Sequence, residues 1–263
     1  MATAQLVHSL TLHFAQDGGG AGVPLVFVNS LGTDLRTWDG VVGRLLAFPD
    51  FDRPLFRYDK RGHGLSDCPP APYSIDDHTD DLVGLLNALR IDAAVIVGIS
   101  IGGLIALDLA IRNPDRVRRL VVCDTAAKIG TASGWNARID AVRASGTGIL
   151  PDLVKVRWFT PAMPAAEANL YLNMVARTPA EGYIGTCAAL RDADLSEGLG
   201  LIAAPTLVLC GERDESTTPA DGRALAAAIP NARFALIPGA AHLPHIEQPE
   251  AFSNQLRTFL RET

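Results

Sequence analysis

The run Gly98-Ile99-Ser100-Ile101-Gly102-Gly103 sets a serine between glycines in the pattern G-x-S-x-G. A strand-like stretch, Ala93 to Gly98, leads into it and a helix-like stretch, Ile101 to Arg112, leads out. In that context the serine sits on a sharp strand-to-helix turn with its hydroxyl presented as a nucleophile. The turn brings backbone close on both sides, so side chains at the glycine positions would collide. A serine hydroxyl is a weak nucleophile at neutral pH and needs a base to take its proton. Of the six histidines, His242 lies just beyond the last strand-like segment, in Pro238-Gly239-Ala240-Ala241-His242-Leu243-Pro244. A base there approaches the serine from the end of the sheet. His245 is the second candidate. His63, in Asp59-Lys60-Arg61-Gly62-His63-Gly64, reads as a residue that holds its own loop through hydrogen bonds, and His8, His13 and His78 as ordinary polar positions.

A catalytic imidazole needs a carboxylate to fix its tautomer and to stabilise the cation it becomes. Asp214, in Gly211-Glu212-Arg213-Asp214, follows the strand-like Leu207 to Cys210 and gives the chain order Ser, Asp, His. Asp124, at the end of the preceding strand, competes with it, whereas Glu212 and Glu215 would require a different loop orientation. An oxyanion hole completes such a site. One donor is expected from the backbone N–H of Ile101, the residue after the nucleophile. The other is expected from Leu31 in Asn29-Ser30-Leu31-Gly32, a segment that also reads as a plain turn. Each donor contributes on the order of 3–4 kcal/mol, because it meets charge that develops only in the transition state.

The elements that must position these residues are visible as short apolar runs alternating with helical patterns. Pro24 to Asn29, Pro54 to Tyr58, Ala93 to Gly98, Val117 to Asp124, Pro205 to Gly211 and Ala232 to Pro238 read as strands, and Ile75 to Leu89 and Ile101 to Arg112 as helices. Continuously apolar strands separated by helices imply a mostly parallel sheet covered on both faces, an α/β architecture. Leu6 to Phe14 alternates and is expected to form an antiparallel edge hairpin strand, with Gly18-Gly19-Gly20 as a hairpin turn. The rhythm breaks between about Thr125 and Gly200, where helical runs are separated by Gly and Pro. This stretch is read as a helical insertion roofing a ligand site, within a core made of residues 1–124 and 201–263.

Composition narrows the partners. The chain has 263 residues, 48% hydrophobic and 20% charged, as in ordinary globular proteins. A net charge of −6 argues against nucleic acid. No apolar run reaches transmembrane length and the first residues lack signal-peptide features, so a cytoplasmic, membrane-free protein is expected. Four scattered cysteines suit neither a zinc site nor a disulfide framework; Cys123 and Cys210 end apolar runs and read as small buried hydrophobes. No metal or organic cofactor is expected.

With these residues placed, the chain resembles the α/β-hydrolase superfamily nearly end to end and, more narrowly, the family of 3-oxoadipate enol-lactonases. The narrower likeness lies in Asn29-Ser30-Leu31-Gly32 with Trp38, in Tyr58 to Ser66, and in the stretches Thr125 to Gly130, Trp135, Arg138 and Arg157-Trp158-Phe159-Thr160-Pro161. The resemblance implies an eight-stranded, mostly parallel sheet flanked by helices, with residues 125–200 as a helical cap. It also implies a small lactone carrying a carboxylate arm as substrate. Trp135 and Trp158 would then wall the pocket, and Arg138 or Arg157 would hold the carboxylate, a task that suits arginine's planar fork. Lys60 stands where related sequences often carry Thr or Gln, a change expected to leave the chemistry unaffected. A general carboxylesterase, a C–C bond hydrolase or a perhydrolase would use the same three residues. A lactone receptor would use the pocket without turnover.

Overall fold

The computed structural model describes residues 2–262. Eight strands form one sheet: β1 (Ala2–Val7), β2 (Leu10–Gly18), β3 (Leu25–Val28), β4 (Pro54–Tyr58), β5 (Ala94–Ile99), β6 (Val117–Cys123), β7 (Thr206–Gly211) and β8 (Ala232–Ile237). Their order is β1-β2-β4-β3-β5-β6-β7-β8. The pairs β1–β2 and β2–β4 are antiparallel, and every other pair is parallel. The central strands β3, β5 and β7 are buried at every position. That is why they read as unbroken apolar runs: in a parallel sheet covered by helices both faces are interior.

Two sequence-based expectations at the amino-terminal edge change. Leu6 to Phe14 is two strands, because the chain reverses at His8 and Ser9 with His8 at φ 53°. Gly18-Gly19-Gly20 does not close a hairpin, since β2 pairs with β4 and not with the strand that follows the glycines. The reason is burial. β3 is apolar on both faces and takes an interior slot between β4 and β5, leaving the half-exposed β2 beyond β4.

On the faces of the sheet lie α1 (Asp39–Leu46), α2 (Ile75–Ala88) and α3 (Ile101–Arg112), with α8 (Pro219–Ala228), α9 (Pro244–Glu247) and α10 (Pro249–Arg261) towards the carboxyl end. Helix α2 starts at a capping box in which Ser74 and Asp77 each bond the other's backbone N–H. Helix α3 is apolar almost all round and buried at ten positions, as a helix must be when the sheet covers one side and α2 another.

Between β6 and β7 the chain forms α4 (Ala132–Ser145), α5 (Leu150–Trp158), α6 (Ala165–Arg177) and α7 (Ala180–Asp192), with no strand among the described residues of 125–200. Helix α4 packs on α7, and α5 on α6. This helical layer is tied to the rest of the chain. Tyr73 N–H donates to Gly185 O (3.2 Å), Leu243 N–H donates to Trp158 O (3.3 Å), and Glu247 accepts from both the backbone and hydroxyl of Thr160 (2.8 Å each). No helix among the described residues is long and apolar enough to cross a membrane.

Packing is tight where α3 leaves the sheet. A Cβ on Gly102 would press on the Val28 carbonyl and stand 2.9 Å from Asn29 O, both rigid backbone. Gly43, exposed on α1, has nothing within 4 Å of a Cβ. Gly102→Ala is therefore expected to cost about 1–3 kcal/mol or more, whereas Gly43→Ala should add up to about 1 kcal/mol by removing a glycine from a helix. The urea midpoints of the two variants, displaced in opposite directions from wild type, check both.

Candidate active site

Ser100 follows β5 at φ 56°, ψ −122°, in a left-handed region that non-glycine residues seldom enter. Four hydrogen bonds hold it there. Its N–H donates to Cys123 O on β6 (2.9 Å), and its carbonyl accepts from Gly103 N–H (2.9 Å), Leu104 N–H (3.1 Å) and the Thr125 hydroxyl (2.8 Å). A Cβ on Gly98 would run into the Gly102 carbonyl, so strand and helix can meet at this angle only with glycine there. Ile101 is the first residue of α3, so its N–H has no acceptor within the helix and lies at the positive end of the helix dipole.

The Leu31 amide, expected as the second donor, lies in the loop after β3. Asn29 to Gly32 is no loose turn. Asn29 donates through Nδ2 to Thr33 O, Gly32 N–H donates to His63 Nε2 (3.0 Å), and Lys60 Nζ donates to Ser30 O (2.9 Å). His63 in turn donates from Nδ1 to Arg61 O (3.0 Å), which makes it a neutral ring with an acceptor at Nε2. Burial and the nearby Lys60 charge push its pKa well below the usual histidine value, consistent with that tautomer. Among the described residues the N–H of Leu31 has no acceptor within the chain. Leu31 and Ser30 face the same cavity as Ser100.

His242 follows β8, and its Nδ1 lies 2.8 Å from Asp214 Oδ2. Asp214 is 3% exposed and accepts further hydrogen bonds from Ser216 N–H (2.8 Å) and the Thr217 hydroxyl (2.7 Å). Burial alone would raise its pKa, but the His242 charge and these donors outweigh burial and hold it at about 2. The carboxylate therefore stays ionised at any working pH and fixes the Nδ1 proton of His242, leaving Nε2 free to accept. Ser100 and His242 both line the cavity without a hydrogen bond between them in this structure. Catalytic contacts of this kind commonly tighten only when substrate is bound.

The competing candidates make other contacts. His245 is 1% exposed, stacks on Trp38 with ring centroids 4.3 Å apart, and has no hydrogen-bond partner on either ring nitrogen. Burial drops its pKa to about 3, so it is an apolar packing element. Asp124 accepts from Gly211 N–H (2.9 Å) and from the Cys123 thiol (2.8 Å), and it does not bond His242. Burial and the neighbouring Asp214 raise its pKa well above the usual carboxylate range, so the pair carries one charge, on Asp214. Asp124, Cys210 and Asp214 bring three potential metal-ligand atoms within 4.8 Å of one another. Their atoms are already engaged, with Cys210 donating towards Gly211 O and Thr217 O. All four cysteines are free, and Cys123, Cys187 and Cys210 are buried.

The cavity measures about 120 Å³. Trp135, Arg138, Arg157 and Trp158 all line it beside Ser100 and His242. Arg138 is half-buried and donates to Tyr183 Oη (3.3 Å), whereas Arg157 is exposed. Neither takes part in an ion pair among the described residues. The sequence reading missed Ile129, Tyr183, Leu190 and Ser216 as wall residues. Tyr183 and Leu190 lie on α7, whose place over the site no local pattern announces. A wider cleft of about 530 Å³ opens between α6 and the Thr33–Asp39 segment, but it includes neither Ser100 nor His242.

A profile of the alpha/beta hydrolase family matches residues 25–255. The chain belongs to that family. Among its curated relatives in Acinetobacter baylyi, 3-oxoadipate enol-lactonase 1 is 39% identical over 240 residues, covering 90% of this chain and 88% of the relative. There too, 3-oxoadipate enol-lactonase 2 is 36% identical over 255 residues, covering 96% and 94%. The crystal structure of the enol-lactonase from Burkholderia xenovorans LB400 superposes with a TM-score of 0.94 at 38% identity, covering 99% of this chain and all of that one. In this α/β-hydrolase, then, a serine on a strained turn and a histidine held by an ionised aspartate open onto one small cavity that Leu31 also lines. The arrangement can carry out acyl transfer.

The two buried carboxyl groups make opposite predictions. Asp214→Asn loses the charge that supports His242 and is expected to lower kcat on an aryl ester by about 10³–10⁴-fold. Asp124→Asn keeps an acceptor for Gly211 N–H and should change kcat by less than about tenfold. Steady-state rates of the two folded variants, measured side by side, check the assignment.

Proposed function

We propose that this chain is a cofactor-independent serine hydrolase that opens the ring of 3-oxoadipate enol-lactone. Ser100 is read as the nucleophile, His242 as the base, Asp214 as its support, and the N–H groups of Leu31 and Ile101 as the oxyanion hole. The observation that carries this reading is the shared cavity. One compact space joins Ser100 and His242 to two tryptophans and two arginines that form no ion pair among the described residues, which suits a small ring with one carboxylate. The similarity to enol-lactonases supports the choice of lactone.

The chemistry runs in two halves. His242 Nε2 takes the proton of Ser100 Oγ, which bonds to the lactone carbonyl carbon while the carbonyl π electrons move onto oxygen. The two amides receive that charge. Re-forming the carbonyl breaks the ring C–O bond; the leaving enolate takes the proton held by His242, becomes an enol and tautomerises to a ketone, a poor nucleophile for reclosure, and His242 is neutral again. Water, deprotonated by His242, then attacks the acyl-serine, and its breakdown returns the proton to Ser100 and releases 3-oxoadipate. Trp135 and Trp158 flank the ring. Arg138 is the better placed cation for the carboxylate, because Tyr183 fixes its direction and partial burial strengthens its field.

Residues 125–200 act in this reading as a cap over a core of residues 1–124 and 201–263. A cytoplasmic location fits the four free thiols. The substrate is the one partner proposed.

Hydrolysis of freshly prepared enol-lactone, followed by loss of its ultraviolet absorbance, tests the reading. Wild type should turn over rapidly, and Ser100→Ala should lose about 10⁶-fold in kcat. A folded wild type that cleaves aryl esters and leaves the lactone intact would favour a general carboxylesterase. Slow single turnover would favour a receptor. Arg138→Met should lower kcat/KM for the lactone by about 10–100-fold, the worth of a charge-assisted hydrogen bond, while leaving an uncharged aryl ester almost unaffected.

A further inference from the structure

Lys60 is 1% exposed, and the single lysine ion pair among the described residues belongs to Lys128 and Asp194. A buried ammonium without a carboxylate in contact is costly. Its one protein hydrogen bond runs to Ser30 O at 2.9 Å. That carbonyl also accepts from the Thr33 hydroxyl at 2.9 Å, so the oxygen is saturated on its inner side. The carbonyl of Ser30 and the N–H of Leu31 are the two ends of one peptide group. The peptide is trans, so its N–H points away from its carbonyl. With the carbonyl pinned inward by Lys60, the N–H is turned towards the cavity that Ser30 and Leu31 share with Ser100.

We propose that Lys60 is a positioning residue for the oxyanion hole, orienting and polarising the Ser30–Leu31 peptide so that its N–H is a stronger donor to a developing oxyanion. The inference deepens the serine-hydrolase reading and rests on it. Two physical effects act together. An ammonium on a peptide carbonyl draws electron density through the amide and makes the N–H at its other end more acidic, as in any hydrogen-bonded chain. The positive charge, buried behind the peptide, also attracts the oxyanion directly through a medium poorer in water than bulk. Both effects are larger in the transition state than with bound substrate, so they lower the barrier without tightening substrate binding. Thr or Gln at this position would donate a hydrogen bond without the charge, so the lysine does bear on the chemistry.

The charge titrates. Burial pulls the Lys60 pKa from 10.5 down to about 7, opposed by the fields of Asp59 beside it and Asp34 on the loop after β3. The other titratable groups facing it are His63 on its own loop and His78 on α2, both kept neutral by burial with the Lys60 charge adding to the effect. Because the native state binds this proton less tightly than the unfolded chain, the buried charge costs stability below pH about 7. That cost is relieved as pH rises from about 7 towards 10.5. The polarising effect follows the same proton: it is full below pH about 7 and fades above it.

The test compares wild type, Lys60→Met and Lys60→Gln, each shown to be folded by circular dichroism and melting temperature, on p-nitrophenyl acetate. A second readout is benzyl trifluoromethyl ketone, to which Ser100 Oγ adds at the carbonyl carbon to leave a tetrahedral oxyanion while its proton passes to His242. The unfluorinated ketone, which binds without forming a stable adduct, is the control. Lys60→Met is expected to lower kcat about tenfold or more, below the ~10²–10³ lost when an oxyanion donor is removed outright. KM should be unchanged, and Ki for the trifluoromethyl ketone should rise by the same factor as kcat/KM falls. Lys60→Gln should recover part of the loss, and the alkaline fall of wild-type kcat near pH 7 should be missing from Lys60→Met. Unchanged kcat and Ki in a folded variant would overturn the proposal. So would equal weakening of the two ketones, which would mark a merely loosened pocket. If Lys60→Met does not fold, Lys60→Gln decides through the same ratio of ketone affinities and its own pH profile. Ser100→Ala, run alongside, separates the failures: turnover surviving in that variant sinks the serine-hydrolase reading itself.

Discussion

Ser100 keeps a left-handed backbone because everything around it leaves no other conformation. Its amide is taken by β6, its carbonyl by the first turn of α3 and by Thr125, and the space that a side chain would need at Gly98 and Gly102 is filled by backbone carbonyls. The turn sets the start of α3, and with it the direction of the Ile101 N–H. It also brings α3 against the carboxyl end of β3, whose following loop offers the Leu31 N–H. One tight crossing of strand and helix thus fixes the serine and both amides together, and the rest of the chain supplies what that crossing cannot.

What it cannot supply is charge, and the charges near the site are sorted by their surroundings. Asp124 and Asp214 are both buried and close, so only one ionises. Asp214 has His242, Ser216 and Thr217 as partners and takes the negative charge, whereas Asp124 keeps its proton and serves to bind the Gly211 backbone. His63 and His245 are held neutral by burial, one as a hydrogen-bonded brace and the other as a stacked ring. Lys60 is the exception, a buried cation aimed at a carbonyl rather than a carboxylate. A buried charge is a poor way to gain stability, and its place on the Ser30 carbonyl is the basis of the chemical use proposed for it. The helical layer of α4 to α7 adds two further cations, Arg138 and Arg157, to the lining of the cavity.

Much of this was legible in the amino-acid sequence, for physical reasons that are local. The six apolar runs became strands within one or two residues of their expected ends, most clearly β3, β5 and β7, because a strand buried on both faces has no freedom to be polar. The glycine pattern around Ser100 and the order Ser, Asp, His report backbone constraints and loop positions that a sequence carries directly. The errors came where local pattern is ambiguous. Alternation across Leu6 to Phe14 cannot reveal a reversal at His8, and a run of three glycines permits a turn without saying which strand comes next in the sheet.

By itself the sequence determined the sheet, the nucleophile turn and the identity of the groups able to do chemistry, since these depend on residue type and on neighbours a few positions away. Only the tertiary structure decided among equivalent groups. It put Asp214 and not Asp124 against His242, packed His245 on Trp38, brought Trp135, Arg138, Arg157 and Trp158 to one cavity, and placed Lys60 on the carbonyl of Ser30. Those choices rest on distances between segments tens to hundreds of residues apart. Hydrogen bonding, desolvation and field strength all change over a few ångströms, and only the folded chain sets those distances.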